Sequence, residues 1–564
     1  MMKKVLKLIS ILLVMLMLLS ACSQTPADVE TTNAGTTTDT TASTGGGVTT
    51  GGSTDANPAP AAIQPDQNVP EVVAGISDET ITIGVEAEPT TLSPHFGVEA
   101  DSATAVILES LGDPFIFLNS QTGEREMTGV LTNVERIDDY RVRCFLREGL
   151  ISYGGNTITA HDMVEVVKLL CEYSKGGTSY IMIDPEKIYA EDDYTFVMGT
   201  FDIYPTFTDL FTQGNYFPAI SMVDLDAIGG PDAAHRNPNV GAGKYYLDEW
   251  VSGQYIQLIR NDNYWNQDAL PYYKYIKIVF INDAATRAMA LQAGDIDYAC
   301  EILGSQVDGL SATPGIYVEA VPADATNNLF MNTSRAPFND ENFRKAVRML
   351  IDYEGILQLA TNGRGQTAQT SFSRANLYYL RDYLNYPDGG PFVEEAKALL
   401  EQTSYNGETL HYSVEPQNSE IAQYIQACLL AGGINITIDI VEAASFQPLM
   451  AGGDYDMVTN PVYGFNLARI LNRYDGRVPT DSASGGAQYR DDEEFFAIID
   501  IARYELDDTL RGQAFLDVQQ YVIDKCIMIG LYCNVVFNAH KDTIRTTYHT
   551  TNGYAQLWSI MPLA

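Results

Sequence analysis

Alternating apolar and polar residues predict several half-buried β-strands. The alternation is found in residues 81–85, 276–280 and 434–440, and residues 411–414 and 455–458 are further segments of strand length. Strands are therefore expected both near the beginning of the folded part and in the second half of the chain.

Apolar residues spaced three or four positions apart predict amphipathic helices between these strands. Thr159 and Asp162 have the spacing of a capping box ahead of one helix, and Gly294 and Gly432-Gly433 end two others. The helical patterns cover residues 163–170, 286–293, 343–351, 421–429, 495–503 and 510–523.

The order of elements in residues 411–458 predicts strand–helix–strand–helix–strand. Repeated crossovers of this kind build a parallel sheet with helices on both faces. Because a single hydrophobic core rarely exceeds about 300 residues, a chain of 564 residues should form at least two lobes. The sequence therefore predicts an α/β fold with more than one lobe.

The first residues predict an export signal. Three lysines within the first seven residues precede an apolar run at residues 8–19, which is too short to span a bilayer comfortably. The sequence Leu-Ser-Ala-Cys at residues 19–22 resembles the bacterial lipobox, in which the cysteine carries the lipid. We expect residues 1–21 to be a lipoprotein signal peptide and Cys22 to be the lipidation site. The alternative is an ordinary signal peptide with a chance cysteine.

Residues 22–77 predict a lipid-anchored, disordered tether. Residues 31–56 are rich in Thr and Gly and contain one aliphatic residue larger than alanine, Val48. Such a segment buries too little apolar surface to offset the entropy lost on ordering. Four prolines between residues 58 and 70 stiffen its end.

Composition and charge narrow the classes of function. Apolar residues make up 45% of the chain and charged residues 19%, as in a globular protein. The formal net charge of −39 repels phosphate backbones, which argues against a nucleic-acid partner. The sequence contains no G-x-S-x-G, H-E-x-x-H or Walker motif, so we expect no catalytic residues, no metal and no cofactor.

Six cysteines besides Cys22 show no C-x-x-C spacing. An exported protein can form disulfides, but sparse cysteines in a large body favour buried free thiols. Both alternatives remain open from the sequence.

Five segments, in order, carry a resemblance to a known family. They are ITIGVEAEPTTLSPH at 81–95, NTITAHD at 156–162, GAGKYYLDEWVSGQYIQLIRNDNYW at 241–265, GDIDY at 294–298 and NFRKAVRMLID at 342–352. The chain resembles the extracellular solute-binding proteins of ABC transporters, family 5, which includes oligopeptide- and dipeptide-binding lipoproteins. The resemblance covers nearly everything from residue 78 onward.

The resemblance implies a two-lobed, periplasmic-binding-protein-like clamshell with an extra inserted subdomain and a ligand cleft between the lobes. Lobe I would comprise residues 78–112, 225–322 and 536–564, the inserted subdomain 113–224, and lobe II 323–535. Strands crossing near Pro322 and Val535 would form the hinge. Such proteins close around a solute and present it to ABC permease subunits, without catalysis. We expect a monomer, anchored to the extracytoplasmic face of the cell membrane.

The resemblance also implies ligand-binding residues at the cleft. Glu88 occupies a ligand-contact position in the opening turn, and Tyr532 is a further candidate. Tyr463, Gly464, Phe465 and Asn466 occupy the segment in which peptide binders place an aromatic residue and, three residues on, an aspartate for the peptide amino group. Asn466 replaces that aspartate, and a neutral amide cannot supply a charge-assisted bond to an ammonium group.

These observations predict a receptor for a peptide or peptide-sized polar solute. The alternatives are a binding protein for an oligosaccharide or other small organic solute, and a surface sensor with the same fold. Four arginines are candidates for meeting a ligand carboxylate or for ordinary ion pairs: Arg364, Arg374, Arg469 and Arg473.

Overall fold

The structure is a computed structural model of the whole chain. It describes residues 72–93, 102–118, 125–173, 182–211, 218–368, 370–372, 390–463, 467–477, 489, 492–548, 553 and 555–564. The predicted signal peptide, Cys22 and most of the predicted tether lie outside the described residues. No helix in the described ranges is both long enough and apolar enough to cross a membrane.

Strands and helices alternate along the described residues. The strands are β1 (Ser77–Val85), β2 (Phe117–Leu118), β3 (Arg125–Glu126), β4 (Leu131–Arg136), β5 (Arg141–Leu146), β6 (Tyr189–Ala190), β7 (Thr195–Gly199), β8 (Tyr245–Val251), β9 (Tyr255–Arg260), β10 (Tyr273–Phe280), β11 (Tyr298–Ala299), β12 (Ile316–Met331), β13 (Gln366–Thr367), β14 (Thr409–Val414), β15 (Asn435–Ile440), β16 (Met457–Tyr463), β17 (Met528–Lys541), β18 (Ile544–Arg545) and β19 (Met561–Pro562). The helices are α1 (Ser102–Leu111), α2 (Ala160–Tyr173), α3 (Met222–Ile228), α4 (Ala284–Ala293), α5 (Val307–Ser311), α6 (Glu341–Leu350), α7 (Tyr353–Thr361), α8 (Val393–Leu400), α9 (Ser419–Ala431), α10 (Ala443–Gly452), α11 (Leu467–Asn472), α12 (Glu493–Tyr504) and α13 (Asp508–Asp524).

Helix ends confirm the capping signals in the sequence. The backbone N–H and the hydroxyl of Thr159 both donate to the Asp162 carboxylate at 2.8 Å, at the start of α2. The Asp283 carboxylate accepts the N–H of Thr286 and so caps α4. Gly294 ends α4 with a φ of 81°, a left-handed conformation that glycine adopts without strain.

Residues just before position 78 make backbone contacts with the end of the chain. The N–H of Val73 donates to the carbonyl of Pro562 at 3.0 Å, and Val72 forms an isolated bridge with Leu563. The last residues of the predicted tether therefore pair with the end of the chain, because their backbone groups find partners there.

Most strands join one mixed sheet. Eleven strands form it, in the order β15-β14-β16-β12-β17-β11-β1-β10-β9-β8, with β13 pairing to β17. A separate four-stranded sheet, β4-β5-β7-β6, is formed by residues between α1 and α3. The predicted α/β fold class is confirmed.

Two long central strands connect the halves of the large sheet. β12 and β17 pair antiparallel from Ile316 opposite Lys541 to Phe330 opposite Met528. Pro322 lies opposite Val535, and the register shifts between Pro322 and Thr326. The two long strands therefore cross from one half to the other with an irregularity at the position where the family resemblance implies a hinge.

The second half contains the predicted parallel unit. β14 pairs parallel with β15, and Tyr412 and Ser413 of β14 pair parallel with Met457 and Val458 of β16. α9 connects β14 to β15, and α10 connects β15 to β16. The strand–helix–strand–helix–strand prediction for residues 411–458 is confirmed.

Buried apolar residues form several separate clusters. One surrounds the four-stranded sheet and α2, and it reaches from Phe115 to Ala242. Two others lie in the half that contains β1 and β8–β11, and two in the half that contains β14–β16. The first cluster continues beyond residue 224, because Val240 and Ala242 pack on the same core. The chain thus has more than one hydrophobic core.

Candidate ligand-binding site

In each half of the large sheet, parallel strands end at a shared edge. In the first half, β1 and β10 run parallel, with Val85 opposite Phe280. In the second half, β14 and β15 run parallel, with Val414 opposite Ile440. Ligands of open α/β sheets bind outside the carboxyl ends of the strands.

The carboxyl end of β1 points towards the crossing of the long strands. Gly84 lies beside Ala299 of β11, which pairs with Ala539 of β17. Because β1 and β17 run in opposite directions in the sheet, β1 runs towards the part of β17 that contains Val535 and ends at Val85, three residues before Glu88. Glu88 thus belongs to the edge that faces the crossing.

The carboxyl end of β16 reaches the crossing from the other half. Tyr463, the last residue of β16, pairs with Ala325 of β12, close to Pro322. Tyr532 of β17 pairs with Asn327 on the opposite side of β12. With strands about 4.8 Å apart and about 3.4 Å per residue, the Cα atoms of the two tyrosines lie roughly 12 Å apart. The structure therefore brings the backbones of these two predicted site residues together.

Tyr532 is buried in the second half of the molecule. Its residue is 8% exposed and packs in the cluster formed around β14 and α6. Burial raises the pKa of the Tyr532 hydroxyl to about 12, so it stays protonated at neutral pH. The side chain of Tyr463 and the residues Gly464, Phe465 and Asn466 lie outside the described parts.

The Glu88 carboxylate joins the turn after β1 to the β8–β9 turn. It accepts hydrogen bonds from the indole of Trp250 at 2.8 Å, the hydroxyl of Ser252 at 2.9 Å, the N–H of Gly253 at 2.7 Å and the guanidinium of Arg236 at 3.1 Å. Burial raises the pKa of Glu88, but these four donors outweigh it, and the net pKa lies below the ordinary value. Glu88 is therefore a charged residue whose oxygens already have protein partners.

Arg287 holds two loops at the same edge, a role that no sequence pattern predicts. Its residue is 2% exposed, and its guanidinium donates to the carbonyls of Ile281 and Asn282 after β10 and of Cys300 and Glu301 after β11. The four distances run from 2.7 to 3.0 Å. Arg287 falls in a predicted helix, but its partners lie on loops whose proximity only the sheet topology reveals.

Glu301 follows β11 with a strained backbone. Its φ is 50°, a left-handed conformation that is uncommon outside glycine. The carboxamide oxygen of Asn538 accepts its N–H at 3.0 Å, and Arg287 binds its carbonyl. Such conformations persist where their surroundings fix them, which is common at ligand sites. No sequence pattern indicates this strain.

Buried polar residues of β12 fix residues 370–372 beside the crossing. The hydroxyl of Thr326 donates to the carbonyl of Phe372 at 2.9 Å. The carboxamide of Asn328 donates to the carbonyl of Ser371 at 3.3 Å, and the Ser371 hydroxyl bonds that of Tyr474 at 2.7 Å. This segment is thus held by hydrogen bonds rather than by apolar contact alone.

Other candidate sites in the described residues have different positions. A cavity of about 530 Å³ lies at the amino end of β1, lined by Asp78, Tyr273, Asp297 and Lys541 among others, away from the carboxyl edge. Within the described ranges, no three His, Cys, Asp or Glu side chains are grouped so as to hold a metal ion. The edge at the β12–β17 crossing remains the candidate ligand site.

The structure thus places the carboxyl ends of parallel strands on both sides of a two-strand crossing. Residues 129–468 match the family described as bacterial extracellular solute-binding proteins, family 5 Middle. Because the match covers more than half of the chain, the chain belongs to this family. The resemblance stated from the five sequence segments is confirmed.

Individual proteins are similar over most of the chain. The probable D,D-dipeptide-binding periplasmic protein DdpA of Escherichia coli strain K12 is 23% identical over an alignment of 476 residues that covers 82% of this chain and 90% of that protein. The structure of HbpA2 from Haemophilus parasuis has a TM-score of 0.75 at 18% identity, covering 86% of this chain and 100% of that one. The periplasmic binding protein DppA from Helicobacter pylori, in complex with the peptide STSA, has a TM-score of 0.69 at 19% identity, covering 86% and 98%. These similarities show the fold.

Proposed function

We propose that the protein is the extracytoplasmic substrate-binding receptor of an ABC importer. It captures a peptide or peptide-sized polar solute by lobe closure and delivers it to the membrane permease. The observation that carries this function is the meeting of two carboxyl edges at the β12–β17 crossing, in a chain of family 5. A ligand favours closure by the difference in its affinity for the closed and open forms, so no bond in the ligand has to change.

The proposed lobes follow the long strands. Lobe I comprises residues 78–112, 225–322 and 536–564, the inserted subdomain 113–224, and lobe II 323–535. The boundaries at 322 and 535 are supported by the register shift after Pro322, which lies opposite Val535. Closure is then a rotation about this irregular part of the strand pair.

A peptide is the favoured ligand because similar proteins are described as binding peptides. DdpA is named for D,D-dipeptides, and the DppA structure contains the peptide STSA. The proposed ligand-binding residues are Glu88, Tyr463, Gly464, Phe465, Asn466 and Tyr532. The two tyrosine backbones meet across β12, and Glu88 belongs to the opposite edge, which supports a ligand lying between the two halves.

Asn466 favours a second candidate ligand class. A charge-assisted bond is about twice as strong as a neutral one, so an asparagine binds a free amino group less tightly than an aspartate does. An oligosaccharide or other small organic solute does not need this charge. A surface sensor with the same fold would bind its ligand in the same way but would not serve a permease.

The proposed setting of the receptor rests on the first 77 residues. A lipid on Cys22 and a tether up to the folded body would hold a monomer at the extracytoplasmic face of the bacterial cell membrane. The lipobox-like residues 19–22 and the Thr- and Gly-rich segment support this setting. The receptor acts by binding alone, without catalysis and without a cofactor.

Native mass spectrometry of the freshly purified mature chain tests the ligand class. A co-purified mass that fragments as a peptide supports the leading proposal, and a glycan mass supports the second candidate. Calorimetry with pools of free and amino-acetylated peptides provides the complementary test. If neither pool binds, the protein is not a peptide receptor.

A Cys22→Ser variant tests the anchor. The wild-type protein, which keeps Cys22, should partition with membranes. The variant should be recovered in the aqueous fraction with unchanged ligand binding. Membrane recovery of the variant would contradict lipidation at Cys22.

A further inference from the structure

The Arg236 side chain is held in a fixed position beside Glu88. Its guanidinium carbon lies 3.7 Å from the centre of the Trp250 ring, and one of its nitrogens donates to the Glu88 carboxylate at 3.1 Å. Trp250 in turn donates its indole N–H to the same carboxylate. A guanidinium that stacks on an indole and bonds a carboxylate loses much of its rotational freedom before any ligand arrives.

The backbone that carries Arg236 is also fixed on both sides. The carbonyl of His235 accepts the N–H of Leu92 at 3.0 Å, and the His235 ring bonds the hydroxyl of Thr91 at 2.7 Å. The carboxamide of Asn239 exchanges hydrogen bonds of 2.7 and 2.8 Å with the backbone of Leu247 in β8. The short loop between these two attachments cannot swing away from the sheet without breaking them.

Arg236 nevertheless remains open to solvent. Its side chain is 54% exposed, whereas that of Glu88 is 23% exposed. Within the described residues, Arg236 donates a hydrogen bond to Glu88 Oε1. This bond uses one of the five guanidinium N–H groups. Because Glu88 is already bonded to the β8–β9 turn, the exposed partner in this pair is the cation.

Arg236 lies at the edge of lobe I where the carboxyl ends of β1 and β10 are found. Gly84 of β1 pairs with Val279 of β10, Val279 pairs with Tyr255 of β9, and Tyr255 pairs with Val251 of β8. The β8–β9 turn therefore lies at the same edge as the carboxyl ends of β1 and β10. Arg236 contacts Trp250, the residue that precedes Val251, so its side chain lies along this edge.

We propose that Arg236 binds a carboxylate of the solute, with Glu88 and Trp250 positioning its guanidinium. This inference rests on the proposed receptor function and extends it, because it assigns an anionic group to the ligand. A guanidinium presents parallel N–H groups that match the two oxygens of a carboxylate. The charge on Arg236 would select for the carboxyl end of a peptide, while the neutral Asn466 would select little for its amino end.

Calorimetry with one pool of tetrapeptides, used with a free carboxyl end and with a carboxyl-terminal amide, tests this assignment on the full mature chain. The unmodified protein should prefer the free-carboxylate pool by roughly 10- to 100-fold, the range expected for a hydrogen bond to a charged group. Arg236→Gln should lose this preference and keep its affinity for the amidated pool. Arg236→Lys should retain part of it, because an ammonium keeps the charge but not the paired geometry.

Lys397→Gln is the matched control, since Lys397 is an exposed cation paired with Glu394 in α8. It should bind both pools as the unmodified protein does. The assignment is overturned if Arg236→Gln keeps the preference, or if it weakens both pools equally and lowers the melting temperature, which is the result of a purely structural role. If the wild-type protein binds neither pool, the proposal of a peptide receptor is overturned, and this assignment with it.

Discussion

Lys244 Nζ lies 2.5 Å from Asp113 Oδ1, and the two side chains are only 3% and 2% exposed. The second carboxylate oxygen accepts the Tyr264 hydroxyl and the indole N–H of Trp265. Lys244 also lies over the ring of Trp558, 4.5 Å from its centre. Lys244, Tyr264 and Trp265 all belong to the segment 241–265 that carried the family resemblance, so that motif records a buried structural contact.

Lys244→Met should destabilise the protein strongly. It leaves the buried Asp113 carboxylate without its cation, and breaking a buried pair in this way costs about 3–5 kcal/mol. Thermal and urea unfolding measure the effect. Lys397→Met, which removes an exposed pair, should cost less than about 1 kcal/mol. Equal costs for the two variants would contradict the importance assigned to the buried pair.

Gly530→Ala should disrupt the contact between β17 and residues 370–372. A Cβ at Gly530 would lie 2.4 Å from the Thr370 carbonyl oxygen and 2.9 Å from the Ala368 Cβ, so backbone would have to move. Overpacking of this kind costs about 1–3 kcal/mol. Gly309→Ala in α5 is the control, because no atom outside its chain neighbours and its own helix backbone lies within 4 Å of its added Cβ. The control should be neutral or slightly more stable in urea unfolding; a neutral Gly530→Ala would refute the close approach.

The Glu88 contacts predict an acid-dependent loss of stability. The folded pKa of Glu88 is lowered, so its stabilising contribution is present above the ordinary pKa of 4.5 and is lost as the pH falls through the folded value. The melting temperature of Glu88→Gln should therefore lie below that of the wild-type protein at pH 7, and the gap should narrow as the pH is lowered below 4.5. A gap that stays constant over this range would show that ionised Glu88 is not stabilised by its four donors.

The cysteines should behave as free thiols. Within the described residues, no disulfide joins any two of Cys144, Cys171, Cys300, Cys428, Cys526 and Cys533. Burial raises the pKa of Cys171 to about 11, so it reacts slowly even though it is only half-buried. A chain that begins after Cys22 should yield six thiols with a chromogenic disulfide reagent when denatured without reductant, and very few when native. A smaller yield after denaturation would indicate a disulfide.

The spacing of apolar residues predicted the strands and helices of residues 411–458, because this spacing depends only on which face of each element is buried. Within residues 411–458, each strand or helix has its own pattern of apolar residues. The parallel pairing of the strands followed from the alternating order of strands and helices. Arg287 could not be assigned in this way, since its four carbonyl partners come from two loops that meet only in the folded sheet. The resemblance named Glu88, but the four donors that occupy its carboxylate come from residues 236–253, far along the chain.

The β12–β17 pair has a mechanical consequence. Its hydrogen bonds continue into both halves of the molecule, so a swing that pulled the two strands apart would break the sheet itself. A two-stranded ribbon with a register irregularity accepts extra twist much more easily than separation. The halves should consequently travel along one fixed arc, and the permease would meet the same outer surface whichever molecule is held inside.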